Sequence, residues 1–367
     1  MERVARSASG ADDPRRRFLA ARIAEGRMPG ASWWVGEHGR ATSRGAVGSA
    51  VAGRRADPVR ERTPFDLASL TKPLATATLL VLAEQEGELD LDASLGEVLE
   101  EAGRSPLASR SLLSLATHTA GLPAWAPLFL RASSLSGYVA EILRLPPAVP
   151  AGRTLYSDLG YILLGAVLER RTGRGLDALF AERIARPVGL VRTGFAGTGR
   201  DFSDAAATER GNLYERDLAG TEGEGRRWRD EIPRGQVHDA NAHGLGGVAG
   251  HAGLFGTADE VARLAGELLR PSALTLGERA RNRMLRVAPP SEGRTVGMVT
   301  AAWASSARGV WPDDGPGHTG FTGTSLWLDP GSGRCCVLLT NRIHPRVPER
   351  DFRPLRRAFH RLAIREP

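Results

Sequence analysis

The sequence predicts an α+β fold: an antiparallel sheet built from both chain termini and flanked by helices, with a helical lobe inserted between its strands. Three observations predict it. Residues 30–51, "GASWWVGEHG" then "RATSRGAVGSAV", read as two strands around a tight turn at His38-Gly39. Near the other end, "MVTAAWAS", "TSLWLDP" and "RCCVLLTN" also read as strands. Between these groups lie helical patterns punctuated by Gly and Pro, and 367 residues suffice for two lobes with a sizeable core.

In chain order, residues 14–26 suit an amphipathic helix ahead of the first two strands. "FDLASLTKPLATATLLVLAEQEG", residues 65–87, suits a buried helix. Pro73 is tolerated only in a first turn, so this helix must begin close to Ser69, and Gly87 is a natural stop. "SLGEVLEEAG", "SRSLLSLATHT", "LSGYVAEILRL", "SDLGYILLGAVLERRTG" and "LDALFAERIARPVG" continue the helical series. Residues 196–240 are polar and Gly-rich with weak periodicity, and a loop that long in a compact domain is functional or disordered. "TADEVARLAGELLRP" resumes as a capped helix, and "RDFRPLRRAFHRLA" closes the chain as another. The expected division is residues 1–68 with 252–367 for the sheet lobe. Residues 69–251 then form the mainly helical lobe, with an active-site loop at 196–251.

Composition narrows the function. The formal net charge is +7, but the arginines are interleaved with Asp and Glu and form no basic stripe with aromatics, so no nucleic-acid partner is expected. An anionic small-molecule substrate fits the charge. No apolar run is long enough to span a membrane. The N-terminal stretch "MERVARSASGADDPRRRFLAARIAEGR" has charges throughout and no apolar core before a small-residue cleavage site, which predicts a cytoplasmic protein. The two cysteines, Cys335 and Cys336, are adjacent in an apolar run. Adjacent cysteines strain a bridge, so two reduced thiols in a buried strand are expected. The sequence leaves the oligomeric state open.

Of the 49 Lys plus Arg residues, Lys72 is the only lysine. Ser69 precedes it by three, and on a helix that brings the two side chains to one face, about 5–6 Å apart at Cβ. A helix N-terminus favours an alkoxide-like serine and disfavours a protonated lysine; burial acts on the lysine in the same direction. A neutral lysine amine can take a serine proton, whereas arginine never deprotonates in proteins. The competing account is a chance survivor of a composition bias. Two further stretches add to the first. Tyr156 stands just before a helix whose first residues, Ser157 and Asp158, are good caps, although a tyrosine there could equally be a packed one. "GPGHTGFTGTSLWLDP" puts His318, Thr319 and Gly320 at the start of a strand, where glycines admit a ligand backbone or simply make a hairpin turn.

Ser-x-x-Lys, then Tyr-x-Asp, then His-Thr-Gly, in that order and separated by roughly 90 and 160 residues, resembles the serine β-lactamase and penicillin-binding-protein superfamily. The spacing is similar to its class C branch, and "SLLSLATHTAGLP" is similar to that branch's "LLTHTSGLP" segment. "AAATE" and "GQVHDANAHGLGGVAGHAGLFGTADE" narrow the resemblance to penicillin-binding-protein-4B-like proteins and cytosolic N-acetylmuramoyl-L-alanine amidases of cell-wall recycling. The resemblance implies a β-lactamase/transpeptidase-like fold and an acyl-enzyme on Ser69. It implies Lys72 and Tyr156 as shared general base, with an oxyanion hole from the backbone N–H groups of Ser69 and Phe321. The strand from His318 through Thr319 and Gly320 would pair with an extended substrate, and Asp158 takes the family's amide-binding position. His238, Asp239 and Asn241 are candidates for the substrate rim.

Two departures bear on specificity. Asp158 stands where many relatives have Asn, and His318 where most have Lys, so a β-lactam substrate is disfavoured and another amide or an ester is expected. The best reading is a hydrolase of a muropeptide amide. The alternatives are a carboxylesterase on small acyl esters, or a non-turnover sensor that binds a cell-wall peptide. No cofactor is expected. His238, Asp239, His243 and His251 invite a zinc reading, but they do not share a helical face and lie in a Gly-rich loop, so no metal is expected. No G-x-S-x-G elbow or nucleotide-binding loop is present.

Overall fold

The computed structural model describes residues 12–53, 57–197 and 199–364. The first eleven and last three residues of the expected sheet lobe lie outside it, as does the start of the stretch read for an export signal. Among the described residues the strands are β1 (Gly30–Glu37), β2 (Arg40–Gly48), β3 (Phe65–Asp66), β4 (Gly194–Phe195), β5 (Leu254–Gly256), β6 (Val299–Thr300), β7 (Pro316–Thr319), β8 (Ser325–Asp329) and β9 (Arg334–Thr340). Six of them form one antiparallel sheet in the order β2-β1-β9-β8-β7-β6, so strands from the two chain ends meet where β1 pairs with β9. The remaining three form a small sheet in the order β3-β5-β4 beside Ser69.

The β1–β2 turn is the expected one. His38 and Gly39 both take positive φ, 51° and 76°, which suits a two-residue turn whose twist matches the strands. Alternation along the strands then sorts their residues to two faces. Trp34, Cys335, Val337 and Leu339 join the large core shared with the helical lobe. Trp33, Cys336 and Leu338 face the other way, against Leu19 of the Pro14–Ala24 helix and Phe359 of the Arg353–Ile364 helix. The sheet is therefore covered on both faces, which explains near-continuous apolar runs such as "CCVLLT". Both cysteines are free and buried, and burial pushes their thiols up, Cys336 to about 12.

The helix after Ser69 starts irregularly. Lys72–Ala77 is widened to an i→i+5 pattern before the regular Thr78–Gln85 segment. Thr78 Oγ1 donates to the Pro73 carbonyl at 2.8 Å inside this stretch. Gly87, at φ 73°, ends it. "MVTAAWAS" is only briefly a strand: after β6 it turns into a single tight helical turn, Ala301–Trp303.

The 196–240 segment, read as a functional or disordered loop, has structure of its own. It carries a helix at Leu213–Ala219 and a buried charged network. His238 Nε2 meets Glu209 Oε2 at 2.9 Å, and Glu215 accepts the Ala240 N–H at 2.9 Å. Polarity alone reads as exposure, but these groups are buried because they neutralise and bond one another. Among the described residues, no helix is long and apolar enough to cross a membrane.

Candidate active site

Ser69 is held by the turn that precedes it. Asp66, at the end of β3, is buried. Its Oδ1 accepts the Ala68 N–H and its Oδ2 the His238 N–H, both at 2.8 Å. Thr322 Oγ1 donates to the Asp66 carbonyl at 2.7 Å and Thr324 Oγ1 to the Leu67 carbonyl at 3.1 Å. These bonds hold Ala68 at φ 48°, a left-handed conformation costly for a residue with a Cβ, just before the serine. The end of β7 comes equally close: a Cβ on Gly320 would lie 2.6 Å from the Leu67 carbonyl oxygen. Glycine is required there because two backbones meet.

Lys72 is fully buried; its Nζ donates to Ser69 Oγ at 2.9 Å and to the His251 carbonyl at 3.1 Å, and it forms an ion pair with Asp158 Oδ1 at 2.6 Å. The expected downward pull of burial on the Lys72 pKa is present, but the charges of Asp158 and Tyr156 outweigh it and the net direction is up. This corrects the expectation of a lowered lysine, and the reason is tertiary: Asp158 lies 86 positions away in sequence. Asp158 lines the space on both sides of Ser69 while its Oδ1 pairs with the lysine. Tyr156 is raised by burial, against the opposing pull of Lys72, and its ring lies 5.0 Å from Lys72 Nζ. It precedes Ser157, which caps the Asp158–Thr172 helix as expected.

His318, on β7, is buried with its ring 5.7 Å from that of Tyr156. Burial, Lys72 and Arg294 push it well below the usual histidine value, so it is neutral. It supplies no fixed cation. Arg294 does, and sequence reasoning missed it. Its guanidinium lies 5.6 Å from the Tyr156 ring centroid, and it has no carboxylate partner among the described residues. Nothing in "SEGRTVG" signals it by spacing.

Two cavities meet at Ser69. The larger, about 520 Å³, is lined by Ser69, Tyr156, Arg294, Trp303, His318 and Arg342 among others. The smaller, about 200 Å³, includes Trp125, Tyr214, Leu218, His238, Asp239 and Phe321. Tyr214, Leu218 and Trp303 are three of the five exposed large hydrophobic residues on the described surface, and all three line these cavities. Exposed apolar side chains gathered on a concave surface mark a ligand site. Sequence reading missed them because isolated surface apolar residues carry no period.

The rim candidates divide. His238 and Asp239 line the smaller cavity, with His238 bonded to Glu209 and Asp239 Oδ1 meeting His251 Nε2 at 2.9 Å. Asn241 does not reach the cavity. It is fully buried, its Oδ1 accepting the Phe129 N–H and its Nδ2 donating to the Ala126 carbonyl, so it fixes the 126–129 turn instead.

The sequence profile of the Beta-lactamase family matches residues 15–359. The chain belongs to that family and is a serine hydrolase. It is 28% identical over 361 residues to an N-acetylmuramyl-L-alanine amidase of Bacillus subtilis (strain 168), covering 89% of this chain and 80% of the relative. An Escherichia coli (strain K12) relative named "Putative D-alanyl-D-alanine carboxypeptidase" is 30% identical, covering 80% of this chain and 72% of the relative. A class C β-lactamase from Rhodobacter sphaeroides superposes with a TM-score of 0.72 at 20% identity, covering 95% and 98% of the two chains. The fold expectation therefore holds, the terminal-strand sheet and inserted helices being those of the family.

The pairing of Asp158 with Lys72 offers a direct test. Asp158→Asn removes the charge that holds the Lys72 proton. The lysine pKa then falls, and the ascending limb of kcat/KM against pH moves to lower pH. The profile on a chromogenic ester, with circular dichroism as the fold control, checks this. A limb that stays in place or moves upward would show that Lys72 is not the titrating group.

Proposed function

We propose that this chain hydrolyses an amide bond of a peptidoglycan-derived muropeptide, the N-acetylmuramoyl–L-alanine bond, through an acyl-enzyme on Ser69. The observation that carries the reading is the pair of unlike cavities at Ser69. The larger presents Arg294 and Arg342, neither ion-paired to a carboxylate among the described residues, and so suits the carboxylate-bearing peptide that leaves. The smaller, walled by Trp125 and Tyr214 with Asp239 at its edge, suits an uncharged, hydroxyl-rich acyl group. The relative named for this amidase activity supports the same choice of bond.

In this mechanism the Ser69 Oγ attacks the carbonyl carbon as its proton passes to the neutral form of Lys72. In that neutral form, before transfer, the two lysine N–H bonds are turned toward Asp158 and the His251 carbonyl and the lone pair toward Ser69. After transfer, Asp158 stabilises the ammonium, as the carboxylate of a serine–histidine–aspartate triad stabilises its imidazolium. The oxyanion falls to the N–H groups of Ser69 and Phe321. Tyr156 gives its proton to the departing nitrogen and regains one from Lys72; the C–N bond breaks, and water reverses the sequence to free the acid.

The test is mass-spectrometric analysis of muramyl dipeptide and a muramyl pentapeptide after incubation with the protein. The expected products are N-acetylmuramic acid and the intact peptide. Release of D-alanine with the lactyl amide intact would favour the carboxypeptidase activity named for the second relative. A stable mass adduct without product would favour the sensor.

A further inference from the structure

The "ATHTAGLP" stretch has no part in the chemistry so far, yet its histidine is built against Tyr156. His118 is buried, and it takes φ 60°, a left-handed conformation, just beyond the Leu112–Ala116 helix. Its carbonyl accepts the Leu155 N–H at 2.9 Å, and its Nδ1 accepts the Ser157 N–H at 3.1 Å. Ser157 is extended, at φ −137° and ψ 126°. In an extended chain the N–H groups of residues two apart face the same way, so one residue can bind both. The one between them is Tyr156. The His118 ring lies 4.5 Å from the Tyr156 ring and 5.3 Å from that of Tyr161, centroid to centroid. A single residue thus fixes the backbone on both sides of the phenol and one face of its ring.

We propose that His118 is a positioning residue that acts through Tyr156, holding the phenol where it can exchange a proton with Ser69, Lys72 and the leaving group. The bond to Ser157 requires Nδ1 to be unprotonated, which places the imidazole proton on Nε2. Burial, with the positive charges of Arg294 and Lys72, keeps the ring neutral, so the bond persists at working pH. This role rests on the reading of Tyr156 as a proton carrier, and the experiment separates the two.

Glycine and asparagine both accept the left-handed backbone, but only asparagine places an acceptor where Nδ1 stands. His118→Gly is therefore expected to lower kcat on a chromogenic ester by about 100-fold with little change in KM, the scale of a catalytic group displaced by about 1 Å. His118→Asn is expected to recover most of that loss. Tyr156→Phe supplies the second arm. If His118 acts through Tyr156, adding His118→Gly to Tyr156→Phe costs little more, because the two changes remove one function.

An equal cost of His118→Gly in both backgrounds, or asparagine no better than glycine, would overturn the positioning role alone. A fully active Tyr156→Phe would overturn the reading of Tyr156 and this role with it. Should the glycine variant not fold, His118→Gln replaces it: its acceptor lies one methylene too far, so asparagine should outperform glutamine, and equal activity would count against the proposal.

Discussion

Ser69→Ala should lower kcat/KM on any turned-over ester or amide by at least about 10⁴-fold, because removing a nucleophile leaves only what the oxyanion donors and substrate binding supply. The fold should survive. The Ser69 side chain is only partly buried, and losing its hydrogen bond from Lys72 leaves that lysine still paired to Asp158 and to the His251 carbonyl. The strained turn before it is held by Asp66, Thr322 and Thr324, none of which contacts the serine hydroxyl in the bonds that fix the turn. Thermal unfolding should therefore change little. Intact mass after brief exposure to an acylating ester gives the second readout: the wild type gains the acyl mass transiently and the alanine variant gains none. Activity within about tenfold of wild type would remove the covalent mechanism.

The β1–β2 hairpin, β8, β9 and the serine–lysine pair were legible because they depend on local patterns. A two-residue turn signal marked the hairpin at His38-Gly39. A three-residue helical spacing brought Ser69 and Lys72 within 2.9 Å. Tyr156 and His318 join them from far along the chain, and no local pattern places them; the order of the motifs did so through resemblance. The electrostatics were not legible. Burial and a helix N-terminus both argue for a lowered Lys72, and the opposite direction follows only once Asp158 is brought to 2.6 Å. Arg294, Trp303 and Tyr214 share this property: their role lies in the cavity they face, which exists only in three dimensions. Asn241 shows the converse, a polar residue in a promising motif that packing uses to hold a turn.

Lys72→Arg should be nearly as damaging as Lys72→Ala, each lowering kcat/KM by about 10³-fold or more, the scale reached when one member of a catalytic unit is removed. The contrast with the rest of the chain makes the test pointed, since every other Lys/Arg position is arginine. The alternative role for Lys72 is structural: a buried cation holding Asp158, the His251 carbonyl and the Ser69 turn together. An arginine keeps the charge, carries five donors and could satisfy the same three acceptors with modest repacking. If holding were the whole role, the arginine variant would fold and turn over substrate near the wild-type rate, while alanine would lose both the ion pair and stability. If Lys72 takes the serine proton, arginine fails for a different reason, because its guanidinium has no accessible neutral form at any pH at which the protein is folded. The raised lysine pKa does not weaken this distinction. A group that holds its proton tightly at rest can still lose it in a minor fraction of molecules, and the ion pair with Asp158 then favours its return from Ser69. The measurement is kcat/KM of both variants across pH, with circular dichroism and thermal unfolding to confirm the fold. A folded arginine variant whose activity matches the wild type would make Lys72 a structural cation and leave the serine proton to Tyr156.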